Sequence, residues 1–335
     1  MNDKAQIMPE ISVAPMMDWT NRHCRYFHRL ISPHARLYTE MVTTGALLHG
    51  DAQRFLRFDS TEHPVALQLG GSDPDDLARC AIMGQERGYD EINLNCGCPS
   101  ARVQNGRIGA CLMKEPDHVA ACMDAMIRAV DIPVTVKCRI GIDDSDDYEF
   151  LNTFVEKSAD KGCITFIIHA RKAWLQGLSP KENREVPPLD YARAERLKAD
   201  YPHLRIILNG GITDIQTITD NIDVFDGFMI GREAYSNPFF LEQIEREIFN
   251  FHDSASRETI ALKMMQYAKA QYDAHGTPIK SITRHILGLY HGQPGAKIWK
   301  RTLSTLPYED GADERVIEEA LDARENFILQ QDRIA

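Results

Sequence analysis

Two thiols stand two residues apart in Asn95-Cys96-Gly97-Cys98-Pro99-Ser100, a turn bounded by glycine and proline. A thiol held in such a turn can act as a nucleophile or as a general acid. When hydride is delivered to one carbon of an activated double bond, the next carbon becomes a carbanion that a nearby acid must protonate. Cys98 can supply that proton. Cys96 competes for the role, its alternative being a small buried side chain.

Lys137 stands among apolar neighbours, where a charge is costly unless it faces an anionic ligand. Gln68 and His169 add an amide and an imidazole. Each of the three alone can be structural, His169 foremost. As a set they suit the polar edge of an isoalloxazine ring, where a positive group stabilises negative charge on a reduced flavin. Asn209-Gly210-Gly211 and Gly231-Arg232 each precede a helical pattern. Their glycines let backbone amides approach an anion, and Arg232 can fork onto phosphate oxygens; the other reading is two tight turns that need glycine for conformation. No G-x-G-x-x-G follows any strand candidate, which favours a mononucleotide flavin over a dinucleotide.

These residues fall where apolar runs stop. Eight short β-branched runs can be counted: Ile11–Met16, Leu37–Glu40, Val65–Leu69, Glu91–Asn95, Val134–Cys138, Thr165–Ala170, Arg205–Asn209 and Gly227–Gly231. Amphipathic segments such as Asp73–Gly88, Pro116–Val130, Tyr148–Lys161, Tyr191–Tyr201 and Asp214–Asn221 lie between them. Alternation of this kind predicts an α/β fold, a TIM (β/α)8 barrel, whose strand C-termini converge on one mouth. After Asn250 the strand pattern stops. Ser256–Ala274, Ile279–Tyr290, Ala296–Leu303 and Glu314–Gln330 predict a C-terminal all-helical domain, with the acidic stretch Phe249–Glu258 as a hinge. The expected domains are therefore residues 1–248 and 249–335.

A chain of 335 residues, 43% hydrophobic and 26% charged, can bury a large core. Nothing approaches the roughly 18 unbroken apolar residues of a membrane span, and Met1 to Glu10 lacks the basic-then-apolar layout of a leader, so no membrane contact and a cytoplasmic location are expected. The eight cysteines are scattered rather than framework-like, so reduced thiols are expected. C-x-C without a second ligand pair predicts no metal site. The net charge of −11 argues against a generic nucleic-acid binder, yet Lys263 to Arg301 holds seven basic residues against the one acid Asp273, a local +6. That segment is either a basic docking face or a solvated charged surface.

Taken in order, Ser12-Val13-Ala14-Pro15-Met16-Met17-Asp18, Gln68-Leu69-Gly70, Asn95-Cys96-Gly97-Cys98-Pro99, Lys137-Cys138-Arg139-Ile140-Gly141, His169-Ala170-Arg171, Asn209-Gly210-Gly211 and Gly231-Arg232 resemble the tRNA-dihydrouridine synthase family over nearly the whole chain. Arg171 to Arg184 and Met41 to Ala46 resemble its A-type subfamily, which acts at uridines 20 and 20a. The resemblance implies FMN as cofactor, NADPH as reductant, and reduction of D-loop uridines in tRNA to 5,6-dihydrouridine. It implies flavin contacts from Pro15, Met16, Met17, Gln68, Lys137 and His169, and a phosphate site of Asn209, Gly210, Gly211, Gly231 and Arg232. Cys98 would be the proton donor. Asn95 would contact the target nucleotide, and Lys181, Arg184, Lys297 and Lys300 would orient the tRNA. No stable protein partner is implied. Two departures stand out: the family more usually has a small aliphatic residue where Cys96 stands and often threonine where Cys138 stands. A flavin barrel acting on a free small molecule would not need the basic helical segment, and a tRNA-binding module would not need Cys98 and Lys137.

Overall fold

The computed structural model describes residues 8–333. The expectation that the N-terminus carries no leader rests in part on residues 1–7, which lie outside the described residues, as do residues 334–335 at the end of the expected second domain.

The apolar runs form parallel strands: β1 (Glu10–Val13), β2 (Arg36–Tyr38), β3 (Val42–Thr43), β4 (Val65–Gly70), β5 (Glu91–Cys96), β6 (Val134–Arg139), β7 (Thr165–His169), β8 (Arg205–Asn209) and β9 (Gly227–Ile230). Their order is β2-β1-β9-β8-β7-β6-β5-β4-β3, and β2 also pairs with β4 through Leu37 opposite Val65. That pairing closes eight strands into a TIM barrel and leaves the short β3 on the margin of β4. The extra strand was not legible as an apolar run because it is two residues long. β1 ends earlier than its expected Ile11–Met16. Ala14 still donates to the Ile230 carbonyl at 2.8 Å, but Pro15 has no N–H to continue the ladder.

Parallel strands need crossovers, and four of the helices that supply them start on aspartate caps. Asp73, Asp147, Asp190 and Asp214 accept from the N–H of Asp76, Phe150, Arg193 and Thr217 at 2.8–3.0 Å. Each satisfies a backbone donor that the helix start would leave unmade, worth about 1 kcal/mol. Inside the barrel Ala14, Tyr38, Ala66, Ile167, Ile207 and Met229 pack together. Burying Ile167, Ile207 and Met229 contributes roughly 1.5–3 kcal/mol each.

The chain divides into two compact units. One holds residues up to Asp18 and Ala35–Gly231; the other holds Trp19–His34 and Arg232–Ala335. The expected ranges 1–248 and 249–335 do not coincide with them. The helix Arg22–Ile31, expected within the barrel, packs with C-terminal helices: Tyr26 stacks on Tyr267 at 3.9 Å and His23 Nδ1 lies 2.9 Å from the Tyr267 hydroxyl. The acidic stretch Phe249–Glu258 is not a hinge between the units either. His34 bonds the buried Glu245 at 2.6 Å, and Phe249 stacks on its ring at 5.0 Å, all inside the second unit.

Four longer helices lie in that unit: Phe239–Glu247, Arg257–His275, Ala296–Thr305 and Val316–Asp332. The expected helix Ile279–Tyr290 is helical only over Lys280–Thr283 and continues as successive turns. Gly288 lies so near the Ser236 carbonyl that a Cβ would come within 2.7 Å of it, which fixes the backbone path. Trp299, fully buried, donates to the Ile286 carbonyl at 3.0 Å and anchors these turns. No helix among the described residues is long and apolar enough to cross a membrane.

Candidate active site

Strand alternation sorts the residues of the Cys98 loop. Asn93 and Asn95 lie on one face of β5 and Leu94 and Cys96 on the other. Cys96 is fully buried beside Cys138, its register partner on β6, and burial pushes its thiol well above the usual range. Cys98 lies beyond the strand end and is partly exposed. The Asn95 carbonyl oxygen Oδ1 accepts from the N–H of Gly97 at 3.1 Å and of Cys98 at 3.0 Å, pinning the loop at its start. Cys98 Sγ lies 3.6 Å from Ser100 Oγ, and Ala110 donates to the Cys98 carbonyl at 2.9 Å.

Arg139, named only as part of a strand end in the sequence, holds the surrounding loops. It is almost fully buried, and it donates to the carbonyls of Gly97, Lys172 and Asn183 at 2.9–3.1 Å. Burial lowers its pKa to about 10. Its position two residues after Lys137 on one strand placed both on the same face, a signal the alternation carried. Asn183, buried, brackets the Trp174 backbone on both sides and so fixes the loop between Lys181 and Arg184, whose own side chains are exposed.

Lys137 donates to Asn209 Oδ1 at 2.8 Å, and Asn209 Nδ2 donates to the Met229 carbonyl at 2.7 Å. Burial and the nearby Arg139 lower the Lys137 ammonium to about 7. His169 is held well below its ordinary pKa, first by burial and then by Arg139, Lys137, Arg171 and Arg184. A cluster of cations around a neutral imidazole leaves a positive mouth. Gln68 is buried, its amide held between Asn93 and Asn95.

Gly210 and Gly211 have φ of 109° and 70°, and a Cβ would meet the His169 ring at 2.6 Å and Leu189 at 2.4 Å. Both readings of this turn are thus compatible: conformation alone demands glycine there. Gly231 differs, since nothing lies within 4 Å of where its Cβ would project. The helices after β8 and β9, Ile215–Thr219 and Arg232–Ser236, are each five residues long, so their dipoles are small. Arg232 is the first residue of the second unit's C-terminal run.

Pro15 and Met16 are half-buried after β1 and Met17 is 56% exposed; Asp18, with φ of 64°, donates from its N–H to Glu40 at 2.6 Å. In the second unit Lys297 and Lys300 are exposed, one turn apart on the helix Ala296–Thr305. Lys269, in the same basic segment, is paired with Asp273 at 2.8 Å and adds little to a docking face. A cavity of about 820 Å³ in this unit is lined by Phe239, Arg257, Tyr290 and Arg324 among others, and none of the site residues expected from sequence lines it.

The family model described as Dihydrouridine synthase (Dus) matches residues 12–325. The tRNA-dihydrouridine(20/20a) synthase of Vibrio cholerae serotype O1 is 57% identical over 313 residues, covering 93% of this chain and 95% of that protein. That of Shewanella oneidensis is 54% identical over 332 residues, 99% and 98% of the two chains. The protein of the same name from Escherichia coli K12 is 56% identical over 311 residues, 92% and 90%. A solved 2-naphthoyl-CoA reductase complex with 2-naphthoyl-CoA superposes with a TM-score of 0.55 at 10% identity, over 71% of this chain and 50% of that one, a likeness of fold. With a family model and relatives of this identity spanning nearly the whole chain, the protein belongs to the dihydrouridine synthase family of flavin-dependent oxidoreductases.

Proposed function

We propose that the protein reduces the C5–C6 double bond of D-loop uridines 20 and 20a in tRNA, with FMN as cofactor and NADPH as reductant. The observation that carries this reading is the convergence of Gln68, Asn95, Cys98, Lys137 and His169 at neighbouring strand ends, in a chain more than half identical to proteins of that named activity.

The residues present fit the cofactor. Lys137 and the Gln68 amide suit the polar edge of an isoalloxazine ring, and neutral His169 can donate or accept there. The open space at Gly231, the amides at Gly210 and Gly211, and Arg232 suit a phosphate. Pro15, Met16 and Met17 would meet the flavin at the end of β1. Held by these residues, a flavin would, once reduced, supply the hydride for uracil C6.

Everything else falls to the chain. Cys98 protonates C5, and its loop is aimed by Asn95, whose side chain also reaches the target nucleotide. Cys96 cannot serve, since its thiol is buried on the opposite strand face. A uridine stacked in the folded D-loop cannot enter a barrel mouth, so the base must be extruded, at a cost of a few kcal/mol. Lys181 and Arg184 on the barrel and Lys297 and Lys300 on the helical unit would hold tRNA phosphates. The barrel unit would then be catalytic and the helical unit tRNA-binding, in the cytoplasm, in place of the expected division at residue 248.

Turnover by the reduced enzyme tests the reading. Unmodified tRNA should be converted and free uridine left unchanged; equal turnover of free uridine would return the flavin barrel for small molecules, and a colourless protein unable to bind FMN would return the tRNA-binding module.

A further inference from the structure

One chain of side-chain hydrogen bonds runs through the barrel interior from β5 and β6 to the Cys98 loop. The N–H groups of Gly97 and Cys98 donate to Asn95 Oδ1. Asn95 Nδ2 donates to Gln68 Oε1 at 2.9 Å, and Gln68 Nε2 to Asn93 Oδ1 at 2.8 Å. Asn93 Nδ2 donates to Thr135 Oγ1 at 2.8 Å, and the Thr135 hydroxyl to Glu91 Oε1 at 2.7 Å. All five side chains are buried, none more than 8% exposed.

The two ends fix the direction independently. Backbone N–H groups can only donate, so Asn95 must turn its oxygen toward the loop, and its NH2 must then point to Gln68. At the other end Glu91 Oε1 accepts from both Thr135 and Tyr38, the latter at 2.6 Å, while Arg36 faces Oε2 at 3.5 Å. Even a proton on Oε2 leaves Oε1 an acceptor. Every donor in the chain therefore points from the mouth toward Glu91. Reversing any one amide would set two acceptors or two donors against each other in a dry interior, which costs about 1–3 kcal/mol per unmade bond.

We propose that Glu91, Thr135 and Asn93 are positioning residues for the reaction: their hydrogen-bond direction fixes which atoms Gln68 and Asn95 present to the flavin and to the uracil. One N–H of each amide is spent inside the chain, and the second is what remains for a ligand. The inference rests on the flavin reading above. None of the three residues touches the mouth loop, and they act only through Gln68 and Asn95.

Tyr38 provides the control, because its hydroxyl bonds the same Glu91 oxygen from a side branch, outside the chain. Flavin-free Thr135→Val, Thr135→Ser and Tyr38→Phe proteins would be titrated with FMN by fluorescence, with unfolding midpoints measured in parallel. Thr135→Val and Tyr38→Phe should both lower the midpoint, since each removes a buried bond. Only Thr135→Val should weaken FMN, roughly tenfold, and shift the bound flavin's absorption bands, while Thr135→Ser restores both. Equal FMN affinity in Thr135→Val and the wild type, or equal weakening in Thr135→Val and Tyr38→Phe, would overturn the proposal. A wild-type protein that binds no FMN would instead remove the flavin reading itself. Should Thr135→Val not fold, Thr135→Cys, similar in size and a poor donor, takes its place under the same criteria.

Discussion

Each strand-end group of the mouth stands two residues after an inward side chain, and the two sides of the barrel fill that lower position differently. Under Asn95 and Lys137 it is Asn93 and Thr135; under His169, Asn209 and Gly231 it is Ile167, Ile207 and Met229. Apolar filling supports by volume and does not itself set the orientation of the group above. Hydrogen-bonded filling specifies an orientation. The side that carries Asn95, Lys137 and the Cys98 loop, where the proposed proton transfer would need its geometry held to fractions of an ångström, is built the second way. Gln68 stands over the small Ala66 and takes its orientation from Asn93 and Asn95. The side ending in glycines and Asn209 is the one proposed to hold the phosphate, where the demand on orientation would be looser.

This difference can be broken from either side. The largest effect should come from Lys137→Met, which removes the cation at the mouth: dihydrouridine formation should fall roughly 10²–10³-fold while the protein stays folded, measured by single turnover with tRNA. Wild-type rates would take Lys137 out of the chemistry. On the apolar side Ile207→Ala should cost about 2–5 kcal/mol in denaturant unfolding through a cavity yet leave the flavin spectrum of the folded fraction unchanged. A shifted spectrum would mean the apolar half also sets orientation.

Smaller effects sharpen the comparison. Lys297→Ala with Lys300→Ala should weaken tRNA binding about three- to tenfold in low salt and reduce the salt slope by roughly 1–2, with flavin affinity untouched; an unchanged slope would show that this face does not meet phosphate. A last effect is in pH, read in stability rather than in activity. Lys137 titrates at about 7 folded against 10.5 as its ordinary value, so above pH 7 the unfolded chain binds the extra proton. Stability of the flavin-free protein should therefore rise from pH 7 toward 10, and Lys137→Met should lose that rise.

The sequence made the barrel legible because parallel strands buried on both faces read as continuous apolar runs, and because catalytic groups sit where those runs stop. Asp73 and Asp214, which cap helices in the structure, stood at the start of two expected segments, whereas the caps Asp147 and Asp190 lay one residue outside theirs. The second unit was less so: Arg22–Ile31 has the ordinary amphipathic pattern of a barrel helix, and only the stack of Tyr26 on Tyr267, 241 positions on in sequence order and invisible to periodicity, assigns it elsewhere. Arg139 and Asn183 were missed as loop anchors because their partners are backbone groups, carbonyls for both and also the Trp174 N–H for Asn183, which carry no sequence signal. The choice between Cys96 and Cys98 was open in composition but contained in strand alternation, which sets Cys96 on the face opposite Asn95.

That choice is also the most direct test. The flavin of wild-type, Cys96→Ala and Cys98→Ala proteins would be reduced with NADPH and mixed with unmodified tRNA, following flavin reoxidation and dihydrouridine together. Cys96→Ala should turn over like the wild type, and Cys98→Ala should still accept electrons from NADPH but form product at least about 100-fold more slowly. Wild-type product formation by Cys98→Ala, or its loss in folded Cys96→Ala alone, would contradict the assignment of Cys98 as the acid.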